Sequence, residues 1–342
     1  MLFIIFTLII VIALVILFTP NPLIKKIHHG EPLKVNKKKI KRVMFGMNFT
    51  DGLVYKIVLY TLLIIVSFIF LYPVIYMLLT AVKPQMDLAD SAAGLLPSSL
   101  DFSNYKNALE KLSYFKSLYK SMLVALIPTV LNVVVASITA YGFAKFRFPL
   151  KKLWFGVMLA TYIVPKALIS IPQYAWYSQL KLLGSIFTYI LPATFGQGLY
   201  FALYFLILYS TFKQIPKQLE ESAKIDGASN LQIFFKIVLP LILPSLITVT
   251  LFSFVWYWND AETASMYLNI VKAGQTTPRW VTLPIALQNY QLTLVGSERE
   301  AMLYRGVEMA ATFLSIAPLL LIYLFLQRYF VEGIEKSGIT GE

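Results

Sequence analysis

Cysteine is absent from the chain, which excludes disulfides, thiolate metal sites and iron–sulfur ligation. Charge is scarce: 14% of residues are Asp, Glu, Lys or Arg, against roughly 25% in an ordinary globular chain. The only histidines are the neighbours His28 and His29, and a tetrahedral metal site needs more ligands than that pair brings. The phosphate-cradling pattern GxxxxGK[ST] is missing, so nothing points to nucleotide chemistry within the chain itself. No internal repeat of fixed period is visible. A secondary transporter driven by ion gradients predicts inverted repeats and paired acids inside its spans, and a membrane-embedded enzyme predicts a nucleophile–base pair or metal cluster there. The apolar segments carry none of these.

Apolar residues are what the chain has in plenty. They make up 58% of its 342 residues, with a mean hydropathy of +0.69. A hydrocarbon core of about 30 Å takes roughly 20 helical residues to cross. Seven segments approach or reach that length, at about 1–18, 54–82, 122–144, 153–175, 187–212, 237–258 and 307–327. The fold class expected is therefore an all-α polytopic membrane protein. Six of the segments contain Pro73, Pro128, Pro165, Pro192, Pro240 and Pro318. Proline is tolerated in a membrane helix where neighbours satisfy the freed carbonyl, and the kinks it makes either line a cavity or serve packing.

The net charge of +13 does not mark a nucleic-acid binder, because the basic residues lie between apolar spans and form no face of a soluble domain. Their distribution sets an orientation. The connections 19–56, 145–152, 213–236 and 328–342 hold 19 basic and 8 acidic residues, and the rest of the chain 11 and 9. This places the first set and the C-terminus in the cytoplasm and, with seven spans, the N-terminus outside. Segment 1–18 lacks a basic n-region and an A-x-A site, so it reads as a retained span in preference to a signal peptide. The linker 19–53 follows, with Lys25, Lys26, Lys34, Lys37, Lys38, Lys39, Lys41 and Arg42 facing the lipid surface. Two outer connections are long, 83–121 and 259–306. The first holds an expected amphipathic helix around NYKNALEKLSYFKSLYK. Such loops either cap the pathway, dock an outer partner or simply connect.

The cytoplasmic connection 213–236 has the most structured chemistry. Pro216 suits a first helical position. Lys217/Glu221 and Glu220/Lys224 are spaced as i,i+4 pairs, while Leu219 and Ala223 make a small apolar face. Gly227 can take the left-handed conformation that ends a helix, and Ser229 with Gln232 forms a capping box for the next. Small residues at Ser222, Ala223, Gly227 and Ala228 permit close approach of another backbone, a feature that a plain interfacial hairpin does not require.

The run Glu221-Ser222-Ala223, then Gly227, then Ile237-x-Leu239-Pro240 resembles the EAA loop of binding-protein-dependent ABC import permeases. IPKQLEESAKIDGAS is most similar to the carbohydrate, maltose-type branch. AYGFAKFRFP at 140–149, YIVP and IP within 162–172, VWYWND at 255–260 and QRYFVEGI at 327–334 follow in the expected order. Ser222 departs from the usual alanine, one small residue for another. The resemblance covers about 54–336, leaving span 1–18, the basic linker and the tail 337–342 outside it. It implies a six-helix permease core plus the extra N-terminal helix, forming half of a translocation pathway. Residues Leu219, Glu220, Glu221, Ser222, Ala223, Asp226, Gly227, Ala228 and Pro240 would couple it to a cytoplasmic ATP-binding subunit. In that arrangement Glu221 meets a basic residue of the partner and Gly227 allows the sharp exit. The implied partners are two ATP-binding subunits, a second homologous permease subunit, an extracytoplasmic binding protein, membrane lipid and a sugar. No cofactor is bound directly; ATP and Mg sit on the partner.

Sugars present hydroxyls and an apolar ring face, which amides and aromatics match. Gln173, Tyr174, Gln197, Tyr200, Trp256, Tyr257, Asn259 and Asp260 are the candidates along the path, although Trp and Tyr also mark the membrane interface. Lys166 follows Pro165 about 20 Å into its span. Ionisable groups at such depth are functional candidates. Snorkelling to the outer face is the plain account, and attraction of an anionic sugar the sharper one.

Overall fold

The computed structural model describes residues 52–90, 94–272, 274–294 and 298–338. The expected span 1–18, the linker as far as residue 51, His28, His29 and residues 339–342 lie outside the described residues. Every regular element among the described residues is a helix, in keeping with the expected all-α class.

The chain divides into two units, Met1–Leu78 and Leu79–Glu342. The described part of the first lies in helix α1, Leu53–Ala81, which carries Pro73 inside it and whose last three residues belong to the second unit. Its 29 residues reach about 44 Å at 1.5 Å each. Apolar residues surround it on all sides, the composition of a membrane-crossing helix.

The second unit opens with two short helices, α2 (Gln85–Ala89) and α3 (Ser103–Lys111), followed by α4 (Tyr114–Lys145). The expected amphipathic helix over 104–120 is thus split. Ser113 takes φ +44°, ending α3 and starting α4, and the membrane span begins earlier than its apolar run. α4 is the central element, packed against the later helices Phe187–Thr194, Phe201–Gln214 and Leu243–Asn259. Its inward side carries small and polar residues, among them Ala125, Thr129, Asn132, Ala136 and Ala140, all buried. Small side chains on that face let neighbouring backbones come close.

The expected span 153–175 is two helices, α5 (Lys151–Ile163) and α6 (Lys166–Gln179), meeting at 94°. Pro165 has no amide hydrogen and holds Val164 extended at ψ 121°, so the helical ladder stops there. The expected span 187–212 is likewise divided into α7 (Phe187–Thr194) and α8 (Phe201–Gln214). Between them Gly196 and Tyr200 take φ +72° and +54°. After α9 (Lys217–Ile225), the chain from Asn230 to Leu241 (α10) includes a wide π-turn at Phe234–Val238. It bends 80° into α11, Leu243–Asn259. The bend falls at Ile242, between Pro240 and Pro244. Helices α12 (Ala261–Leu268) and α13 (Leu283–Thr293) lie in what the sequence suggested was an outer loop, and α14 (Glu298–Gly338) closes the chain. Pro128, Pro192 and Pro318 stay inside continuous helices.

Three described stretches are long and apolar enough to cross a bilayer alone: Leu53–Ala81, Tyr114–Lys145 and Tyr304–Gln327. The two bent pairs qualify when each is taken together.

Asn104 of α3 holds the opening stretch of the second unit. Its buried amide donates to the carbonyls of Ala81 at 3.1 Å and Lys83 at 2.9 Å. Asn104→Ala leaves both carbonyls unpaired and is expected to cost about 1–3 kcal/mol, read as a lower melting temperature of the detergent-solubilised protein.

Candidate functional site

Two regions gather the candidate residues. The first is α9 and its surroundings. Pro216 stands one position before the helix, with ψ 133°, and Lys217 begins it. Neither expected i,i+4 pair forms. Glu220 turns inward and meets Lys145, the last residue of α4, at 2.7 Å, with both side chains nearly buried. The Lys145 ammonium also donates to the Ile215 carbonyl at 3.0 Å. The Tyr141 hydroxyl lies 3.5 Å from the other Glu220 oxygen. Around this pair, Tyr141 packs on Phe234 and Phe212 with centroids 4.9 and 5.5 Å apart.

The buried face of α9 is consequently Glu220 and Ala223; of the small apolar face, Ala223 is buried and Leu219 is not. The reason is geometric: a charge that finds a close partner can be buried, whereas an apolar residue on the outer stripe cannot follow it. Leu219, Glu221, Ser222 and Asp226 are exposed, as is Pro240 further on, while Ala228 is half-buried. Ile225 is 87% exposed, an apolar residue that the residue pattern did not single out.

The exit from α9 follows the glycine rule. Ala228 N–H donates to the Ala223 carbonyl at 2.9 Å and Gly227 N–H to that of Lys224 at 3.0 Å, the paired bonds of a Schellman ending. Gly227 has φ +82° with open space where a Cβ would stand, so the backbone conformation and not crowding calls for glycine. Ser229 and Gln232 form the expected capping box, at 3.3 and 2.8 Å.

The second region is a cavity of about 220 Å³ where α5 breaks into α6 and α7 into α8, floored by α11 and α12. Lys166, Gln173, Gln197, Tyr200 and Tyr257 all line it, together with Thr161, Tyr162, Ser170, Thr188, Tyr189, Thr263 and Tyr267. Tyr174, Trp256, Asn259 and Asp260 do not. Trp256 packs behind Tyr200, centroids 4.2 Å apart, and Asn259 is exposed. Asp260 caps α12 by accepting from Thr263 N–H at 3.2 Å, and takes the Tyr189 hydroxyl at 2.8 Å.

The loop between α7 and α8 is positioned by two side chains from other helices. Asn132 of α4 donates to the Leu199 carbonyl at 3.0 Å. The Tyr257 hydroxyl accepts from Leu199 N–H at 3.1 Å. Gly198 lies so close beneath them that a Cβ would come within 2.7 Å of the Tyr257 oxygen and 2.9 Å of Asn132 Oδ1. Gln173 is held as well, donating to Tyr177 Oη at 2.6 Å and standing 3.2 Å from Tyr267 Oη. The Lys166 ammonium sits 4.7 Å from the Tyr200 ring centroid, turned toward the cavity wall.

The residue pattern overlooked Asn132, Lys145 and Tyr267. Asn132 is the single amide in the apolar run 122–144, a signal that was there to use. Tyr267 lay in a stretch with no sign of packing against a span.

The family model described as binding-protein-dependent transport system inner membrane component matches residues 132–336. The chain is 30% identical to the trehalose transport system permease protein SugB of Mycobacterium tuberculosis, over 79% of this chain and 93% of that one. It is 29% identical to the polygalacturonan/rhamnogalacturonan transport system permease protein YtcP of Bacillus subtilis, over 84% and 98%. A chain in the crystal structure of a bacterial ABC transporter that imports the acidic polysaccharide alginate shares its fold, with a TM-score of 0.68 at 24% identity, over 88% of this chain and 100% of that one.

The Lys145–Glu220 pair yields a double test. Lys145→Met strands a buried carboxylate and is expected to cost about 3–5 kcal/mol, whereas Lys145→Met with Glu220→Met recovers most of that loss. Thermal melts of the three purified proteins measure it.

Proposed function

This chain belongs to the family of binding-protein-dependent transport system inner membrane components, and we propose that it serves as the membrane-spanning subunit of an ATP-driven importer of carbohydrate, oligosaccharide by class. Membership makes it a multi-pass inner-membrane transport protein. Relatives named for trehalose and for polygalacturonan support the carbohydrate class, as does a cavity walled by tyrosines and amides.

The observation that carries the mechanism is the two-faced α9 helix. Its inner face is tied to α4 through Glu220 and Lys145, and its outer face is exposed. In the proposed assembly that outer face seats in a groove of a cytoplasmic ATP-binding subunit, with Glu221 against a basic residue there. ATP hydrolysis belongs to that partner, which holds ATP and Mg. Closure of the ATP-binding subunits moves α9, and Lys145 passes the movement to α4. Thirteen residues along α4, about 20 Å, Asn132 holds the loop that borders the cavity. A push on α9 therefore has a continuous route of packed and hydrogen-bonded groups to the substrate path, as alternating access by rigid-body motion requires.

A second homologous permease subunit supplies the other half of the pathway, and an extracytoplasmic binding protein delivers the sugar. The charge distribution supports a cytoplasmic side for α9 and the C-terminus in this reading.

Co-purification and uptake test this. The chain is expected to bring an ATPase subunit with it from the membrane. Glu221→Lys combined with Gly227→Pro is expected to abolish ATP-dependent saccharide uptake while the chain remains in the membrane. Gly227 is chosen because proline cannot adopt its φ of +82°. Uptake at the wild-type rate in the double variant, or no accompanying ATPase, refutes the proposal.

A further inference from the structure

We propose that the cavity is a station for the acidic unit of a charged saccharide, with the Lys166 ammonium as the anion-binding group; this rests on the importer reading of the same site. Lys166 is the only ionisable side chain between Leu153 and Leu180 apart from the tyrosine hydroxyls, and it stands at the 94° break of that span. Lys166 is exposed in the chain taken alone. Its nitrogen lies over the Tyr200 ring, and no carboxylate of the described residues comes within ion-pair distance of it. The two acids whose fields reach it are Asp260 and Glu262. Asp260 is already engaged with Tyr189 and Thr263, and Glu262 is exposed.

The amine therefore keeps hydrogen-bond donors for a ligand. The wall around it is suited to a sugar: hydroxyls of Thr161 and Thr263, the Gln197 amide and the Tyr200 ring border one space. At about 220 Å³ it is smaller than the roughly 300–1,000 Å³ of ordinary ligand pockets, which fits one sugar unit at a time and not a whole chain. A carboxylate on that unit pairs with Lys166. The ammonium then moves off the Tyr200 ring, and the face it covered becomes available to the apolar side of the sugar.

The test uses the complete importer in nanodiscs and two probes of one shape, a galacturonate disaccharide and its neutral methyl ester. Wild type is expected to bind the acid at least tenfold more tightly than the ester. Lys166→Gln is expected to remove that preference, and Lys166→Arg to keep most of it. Equal affinity for both probes in wild type, binding of neither, or a preference unchanged by Lys166→Gln overturns the proposal. A lipid phosphate is the other anion able to reach this amine. If Lys166→Gln alters activity only in discs containing phosphatidylglycerol and leaves the preference alone, the lysine serves lipid and the proposal fails. ATP-dependent uptake of any saccharide by the wild-type complex is scored separately, so a failed anion site is distinguished from a failed importer reading.

Discussion

A backbone amide in hydrocarbon has no water to turn to, and this constraint governs where the second unit is permitted to break. An uninterrupted helix satisfies its own amides; a broken one must borrow partners. The loop between α7 and α8 borrows them from Asn132 and Tyr257, which take both polar groups of Leu199. That arrangement needs Gly198, because no side chain fits beneath the two donors and acceptors. The cavity borders this break, and Gln197, Gly198, Leu199 and Tyr200 all line it. The companion break at Val164–Pro165 brings Lys166 to the same space.

The ion pair of Lys145 and Glu220 solves a different problem. A helix of nine residues is too short to persist on propensity alone, so its stability and its angle come from what it is attached to. The attachment is a charge-assisted contact shielded by the rings of Tyr141, Phe212 and Phe234. Directional contacts of this kind fix orientation better than a greasy face does, since an apolar surface can slide. The Ile215 carbonyl on the same ammonium fixes the approach to the helix as well as the helix itself.

Local chemistry was legible in the residues. The left-handed Gly227 and the Ser229–Gln232 capping box depend on neighbours within a few positions, and the structure places them as their spacing implies. What distance in sequence conceals was not legible. Glu220 has two partners on its own helix at suitable spacing, yet it pairs with a residue of α4, whose Tyr141 lies 79 positions away. Asn132 serves a carbonyl 67 positions on. Nor does proline declare its effect. Pro128, Pro192 and Pro318 are carried inside helices, whereas Pro165 ends one. The difference lies in whether neighbours accept the bend, and no local pattern contains that. The same limit applies to α12 and α13, whose packing partners are far off in the chain.

The division of α9 into an inner and an outer face sets where the helix tolerates substitution. Glu220 and Ala223 are committed to their own chain, and changing them disturbs the fold. Leu219, Glu221, Ser222, Lys224 and Ile225 touch little of it. A handful of surface positions is therefore free to drift without unfolding the protein that carries them.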